Sequence, residues 1–177
     1  MTYTQHYDSP LGGILLAADD VGLTGLWFDG QKYFARGLSN ERIVQETSVL
    51  AEAKRWLDIY FTGKAPDFTP PLHPIGSAFR RSVWEILLQI PYGQTATYGE
   101  IARQLAKKQG LERMSAQAVG GAVGHNKISI IIPCHRVVGA DGSLTGYAGG
   151  IGKKEKLLEL ERADMSRVFV PKKGTAL

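Results

Sequence analysis

Four of the 8 prolines in this 177-residue chain fall between residues 66 and 74, in the stretch APDFTPPLHPIGS. Proline lacks the amide proton that a helix interior or a central strand needs, so no regular element crosses this stretch. The chain is therefore expected to fold as two parts, with the boundary near residues 66–76. With 44% apolar residues there is enough to bury two small cores. The expected division is an N-terminal domain over 1–70, a linker over 71–77, a second domain over 78–165 and a weakly ordered tail, from about Asp164, over 166–177.

The two sides differ in pattern. TYTQHYDS, ILLAADD and GLTGLWF are short, β-rich runs separated by Pro10-Leu11-Gly12-Gly13 and other turn formers, which predicts an antiparallel meander. From about Glu46 to Tyr60, Val49, Leu50, Ala53, Trp56, Leu57 and Tyr60 recur at helical spacing, so a helix covers one sheet face. Beyond the prolines, Phe79, Val83, Trp84, Leu87 and Leu88 form a second stripe, ended by Pro91-Tyr92-Gly93. Thr97-x-x-Glu100 fits a capping box opening a helix over YGEIARQLAKK, and Ser115 caps a short helix over AQAVGGAVGH. This pair resembles a helix-turn-helix with a loose turn. Ile128–Ile132 reads as an apolar strand stopped by Pro133, Asp141-Gly142 as a turn, and GKKEKLLELERA as a final amphipathic helix.

Charge and cysteine content narrow the function. Residues 1–74 carry 6 Lys and Arg against 9 Asp and Glu, whereas residues 75–177 carry 15 against 8. The second part is the candidate polyanion binder, although a merely solvated basic surface fits the same numbers. No apolar run approaches the roughly 20 residues that span a bilayer, and the polar start MTYTQHYD does not read as a secretory signal, so a cytoplasmic protein is expected. One cysteine closes no intramolecular disulfide, and four scattered histidines give no paired metal-ligand spacing.

Two features point to chemistry. Ala116, Ala118, Gly120, Gly121, Ala122 and Gly124 leave the short helix nearly bare, at a cost of about 0.5–1 kcal/mol per glycine relative to alanine. Something approaches it closely: either another helix, or a widened nucleic-acid groove, since a helix about 10–12 Å across with its side chains does not fit a minor groove about 6 Å wide. The second feature is Cys134, between Pro133 and His135-Arg136. A lone thiol is ordinarily a small buried hydrophobe. Here a base and a cation stand beside it, which raises the thiolate fraction of a group with ordinary pKa about 8.5. Successive strand residues point to opposite faces, so His135 serves Cys134 only if the chain turns at Pro133, and even then there is room for a water to bridge the two. On that reading the sulfur sits exposed and activated.

IPCHRVVGADGSLTGYAGG, preceded by AVGGAVGHN and TYGEIA, resembles the methylated-DNA–protein-cysteine methyltransferases, or O6-alkylguanine-DNA alkyltransferases, over about Phe79 to Glu161. SPLGGILLAADD and GLTGLWFDG resemble the family's amino-terminal domain more weakly. The resemblance implies an α/β plus mainly α architecture: a small antiparallel-sheet, ribonuclease H-like domain, then a winged-helix-like domain with a helix-turn-helix. It implies that Cys134 accepts an alkyl group from O6 of guanine in one turnover, with His135 as water-assisted base and Glu161 orienting it. Tyr98 would assist proton delivery and base flipping, and Asn126 would brace the turn to the active site. Val137, Tyr147, Ala148 and Lys154 would bind the base. Ser115, Gln117, Ala118, Gly120, Gly121, Val123 and Arg136 would contact DNA. The implied partner is double-stranded DNA carrying O6-alkylguanine, approached from the minor groove, with no cofactor, metal, membrane or obligatory protein partner.

Three departures stand out. Gln117 occupies the position where the family commonly has an arginine that fills the gap left by the flipped base, which leaves Arg113 or another residue to assist. No cysteine lies near His73, so no zinc is expected, although some relatives bind it in the amino-terminal domain. The connector KKQGLERM is longer than in several relatives. The competing classes are a non-catalytic lesion-binding protein, which typically has tryptophan in place of the cysteine, a helix-turn-helix regulator, and, more distantly, a cysteine peptidase.

Overall fold

The structure, a computed structural model, describes residues 1–171. The chain divides into two compact units, Met1–Ile75 with Lys127–Ile131, and Gly76–Asn126 with Ile132 onward.

In the first unit, β1 (Thr2–Ser9), β2 (Gly12–Ala18) and β3 (Leu23–Phe28) form the expected antiparallel meander. Its first turn is closed by Ser9, whose hydroxyl donates to the Gly12 carbonyl at 2.6 Å and accepts from the Leu11 amide. Gly12 has φ +114°, a conformation in which a side chain would be strained. A fourth strand, β4 (Arg42–Val44), lies parallel to β1 and gives the order β3-β2-β1-β4. It went unforeseen because three exposed residues carry no alternation to read. Helix α1 (Ser48–Tyr60) starts where the Thr47 hydroxyl accepts from the Leu50 amide. Its Leu50, Ala53, Leu57 and Tyr60 are buried, as are Ile14, Leu16, Leu23, Leu26 and Phe28 of the sheet. Each such large side chain contributes about 1.5–3 kcal/mol by leaving water.

The expected strand over Ile128–Ile132 does not form. Only Ile128 bridges to Leu26, framed by bonds from the Leu26 amide to the Lys127 carbonyl and from the Ser129 amide to the Leu26 carbonyl. The chain then bends sharply: the Ile131 amide bonds the Ser129 carbonyl at 2.8 Å around Ile130, whose φ is +69°. A β-branched residue is strained there. The apolar run reflects complete burial of a turn, not a ladder: Ile128, Ile130 and Ile132 are all 0% exposed.

In the second unit, α2 (Ala78–Leu87) is capped by Ser77 and buries Val83, Trp84, Ile86 and Leu87, whereas Leu88, expected on the stripe, is exposed. β5 (Ala96–Thr97) leads directly into α3 (Tyr98–Gln109). The capping box forms in part: the Thr97 hydroxyl accepts from the Glu100 amide at 3.1 Å, but the Glu100 carboxylate returns to that hydroxyl and not to the Thr97 amide. Gly110, with φ +69°, ends α3, and Ser115 caps α4 (Ala116–Gly124). β6 (Val137–Val138) pairs in parallel with β5, and α5 (Ile151–Leu160) closes the unit.

The segment after Asp164 is better tied down than expected as far as Phe169. Phe169 accepts from the Leu144 amide and donates to the Gly142 carbonyl, while Met165 and Val168 pack on Val138, Leu144, Leu158 and Ala163. The remainder of the expected tail, 172–177, lies outside the described residues. No helix among the described residues is long and apolar enough to cross a membrane.

Candidate active site

Cys134 opens a 3₁₀ turn, Cys134–Arg136, directly after Pro133. Proline at φ −82° and ψ 64° is in the geometry of an inverse γ-turn, and the Cys134 amide bonds the Ile132 carbonyl across it at 2.8 Å. The chain therefore does turn at Pro133, so Cys134 and His135 are not on opposite faces of a strand. Asn126 braces this turn, with Nδ2 donating to the Ile132 carbonyl at 2.9 Å. The β5–β6 register, Ala96 with Val137 and Thr97 with Val138, sets the start of α3 and Tyr98 beside the same turn.

Cys134 is buried, only 7% exposed as a residue, which corrects the expectation of an exposed thiol. Its charge state also differs. Burial pushes the Cys134 thiol up from its ordinary value, and a side-chain bond from Asn126 with the positive charge of Lys154 only partly offsets this. The thiol is thus protonated at rest and needs a base.

That base is adjacent. His135 is completely buried, and its Nε2 meets Glu161 Oε2 at 2.6 Å. Burial lowers the imidazole pKa, and Arg136 and Lys154 lower it further, against the raising effect of Glu161. The ring is therefore neutral, with its proton on Nε2 facing the carboxylate. Nδ1 is left as an acceptor, buried and without a hydrogen-bond partner among the described residues. Burial alone would raise Glu161, but hydrogen bonds from His135 and Arg136 and the charge of Arg136 outweigh it and hold the carboxyl well below its ordinary range. Glu161 Oε1 also accepts from the Gly93 amide at 3.1 Å.

Within electrostatic reach of Cys134, the Thr145 carbonyl accepts from both Lys154 Nζ at 2.6 Å and the Tyr98 hydroxyl at 3.1 Å. Lys154 is fully buried, which brings its pKa down to about 8 despite the opposing effect of Cys134. Burial raises the Tyr98 hydroxyl, so it remains a proton carrier. A Cβ on Gly146 would stand 2.9 Å from that hydroxyl, so this position keeps the loop against Tyr98 only as glycine. Tyr147 is buried, with its ring edge-on to His135 at 6.5 Å. Val137 is buried beside the turn and Ala148 is half-buried.

The residues expected at the nucleic-acid surface divide. On α4, Ser115, Gln117, Ala118 and Gly121 are exposed and Gly120 is half-buried. Val123 instead faces inward, 2% exposed, together with Val119 and Ala122, and the Ala122 carbonyl accepts from the Trp84 indole. Helical spacing explains this: 119, 122 and 123 share one face, so 123 cannot also lie outside. Arg136 is likewise not at the surface. It is 8% exposed, with Nε and Nη2 on Glu161 at 2.8 and 3.1 Å and Nη1 on the Ile90 carbonyl at 2.6 Å. Sequence reasoning missed this clamp, the Gly93 amide and the Thr145 carbonyl. The last two are main-chain groups with no side-chain signal, and the first needed the 3₁₀ turn to be known.

The family model described as 6-O-methylguanine DNA methyltransferase, ribonuclease-like domain, matches residues 2–74, and its DNA binding domain counterpart matches residues 78–163. A methylated-DNA–protein-cysteine methyltransferase of Methanosarcina acetivorans is 43% identical over 165 residues, covering 90% of this chain and 97% of that one. Its counterpart in Mycobacterium leprae is 43% identical over 162 residues, covering 92% and 93%. The crystal structure of Mycobacterium tuberculosis OGT in complex with DNA is similar with a TM-score of 0.77 at 42% identity, covering 94% of each chain.

Proposed function

The chain belongs to the methylated-DNA–protein-cysteine methyltransferase family, and on that premise we propose that it repairs DNA by moving the alkyl group of O6-alkylguanine onto Cys134. The observation that carries this reading is the neutral His135, anchored through Nε2 to Glu161 with a bare, buried Nδ1, next to a thiol that burial keeps protonated.

The steps follow from those charge states. The Cys134 proton passes, through a bridging water, to His135 Nδ1, and Glu161 stabilises the imidazolium that forms. Asn126 and the Lys154 charge favour the thiolate. The sulfur pair then attacks the O6-bound alkyl carbon in line. An S–C bond forms, the C–O bond breaks, and its electrons go to the purine, which takes a proton delivered through Tyr98; the His135 imidazolium gives its proton up to water, and the tyrosine regains one from water, so one proton passes in all from the thiol to the purine. The products are an S-alkylcysteine and a restored guanine. A thioether offers no ready reverse step, so each molecule acts once.

The alkylated carbon is poorly accessible to a protein sulfur while the base is stacked, so the nucleotide is everted first, at a cost of a few kcal/mol. Helix α4 supports entry into the minor groove. Its Gly121 and Gly124 would carry a Cβ into open space, so these residues are not required for packing within the protein. Their bareness is explained by a surface that comes from outside. Phosphate contacts from the basic second unit supply affinity with little sequence preference, and binding weakens as salt rises. Duplex DNA bearing labelled O6-methylguanine tests the reading: wild type takes up label and Cys134→Ala takes none. Equal labelling of both proteins would refute it.

A further inference from the structure

The geometry points to Arg136 as a positioning residue of the alkyl transfer, holding the Glu161 carboxylate by both oxygens so that one oxygen is presented to His135, and not as a DNA contact. The inference rests on the reading of Cys134 as acceptor.

Glu161 sits at the C-terminal end of α5, where side chains ordinarily have rotamer freedom, and its carboxylate is enclosed by donors from three directions. Arg136 Nε takes Oε1 at 2.8 Å and Nη2 takes Oε2 at 3.1 Å, a fork that matches a carboxylate in its own plane. The Gly93 amide adds a third bond to Oε1, and His135 takes Oε2. The guanidinium is itself fixed at its far end by the Ile90 carbonyl at 2.6 Å and lies 5.7 Å from the centre of the Tyr92 ring. Each nitrogen of Arg136 already makes a bond inside the protein, its Nε–Nη2 fork is spent on the carboxylate, and the residue is buried.

The arrangement has an electrostatic consequence. The charged and titratable groups around His135 are Glu161, Arg136, Lys154 and Cys134, with Tyr147 against the ring and Tyr92 and Arg162 around the Glu161 end. Arg136 neutralises the carboxylate that would otherwise draw a second proton to the imidazole, so His135 stays able to accept from the thiol. Neutral histidine is the working form. A change that raises its proton affinity therefore removes activity at the acid side of the pH profile.

Arg136→Lys and Arg136→Gln test the assignment, each measured for methyl transfer from O6-methylguanine duplex across pH, for thermal unfolding, and for duplex affinity at fixed salt in a Cys134→Ala background. The expected result is unchanged affinity with transfer slowed roughly tenfold or more in both, since one ammonium cannot span two oxygens. The acid limb moves to higher pH in Arg136→Gln but stays in place in Arg136→Lys, which keeps the charge. If Arg136→Gln does not fold, Arg136→Lys decides: wild-type transfer with intact affinity, or weakened affinity with wild-type single-turnover chemistry at saturating DNA, overturns the proposal. A wild-type protein that takes up no methyl group overturns the reading of Cys134 itself, a failure distinct from these.

Discussion

Replacing Gly121 and Gly124 with alanine should make the protein more stable while weakening its hold on DNA. Both residues lie in α4, and neither has the positive φ that would exclude a side chain. A Cβ built on either meets nothing within 4 Å. Alanine therefore gains the usual helical advantage of about 0.5–1 kcal/mol per site with no steric offset, or about 1–2 kcal/mol for the pair. For a chain of this size that raises Tm by roughly 2–8 °C. The same methyl groups stand on the face proposed to enter a groove only about 6 Å wide. Pushed outward, the helix separates from the duplex, and a loss of roughly tenfold in affinity, about 1.4 kcal/mol, is expected. Urea unfolding followed by tryptophan fluorescence reads the first effect, since Trp84 is hydrogen-bonded to α4 through Ala122. Fluorescence anisotropy with O6-methylguanine duplex at fixed salt reads the second. Destabilisation would mean that the glycines are needed internally, and higher stability with unchanged affinity would mean that DNA does not dock on this face.

Other outcomes follow from the same geometry. Glu161→Gln leaves Arg136 buried without its counter-charge and should cost about 3–5 kcal/mol in unfolding experiments along with nearly all methyl transfer. Because Glu161 is held below its ordinary value of 4.5, the stability it contributes is complete above that pH and lost as pH falls below it, so the variant should show a flatter acid unfolding curve than wild type. Lys154→Met removes a charge that favours the thiolate, so Cys134 should react several-fold more slowly with iodoacetamide at neutral pH, an effect absent if Lys154 serves only the bound base. Gln117→Arg adds a cation to the exposed face of α4 and should tighten duplex binding at fixed salt; equal or weaker affinity would count against placing that residue at the DNA.

Much of the fold was legible because local signals and tertiary demands agree. The meander, α1, and the Ser115 cap each followed from alternation, helical spacing or a capping hydroxyl. The failures occur where burial is complete on all sides. Ile128–Ile132 is as apolar as a strand, yet a left-handed Ile130 bends it, and no periodicity distinguishes a buried turn from a buried strand. At the site, Pro133-Cys134-His135 were readable because they are contiguous in a recognisable string and Glu161 because the resemblance reaches that far, and the structure joins His135 to Glu161. Arg136 was misplaced because its direction depends on the 3₁₀ turn, and the raised thiol depends on burial that a sequence does not display.

The most direct test of the account is the intact mass of the protein after incubation with excess O6-methylguanine duplex, followed to its plateau and mapped by peptide. Single-turnover transfer to Cys134 gives a gain of a single CH2 per chain, confined to the peptide containing Cys134, with no further repair of the remaining DNA. Continued turnover, a methyl group on another residue, or an unchanged mass would contradict it.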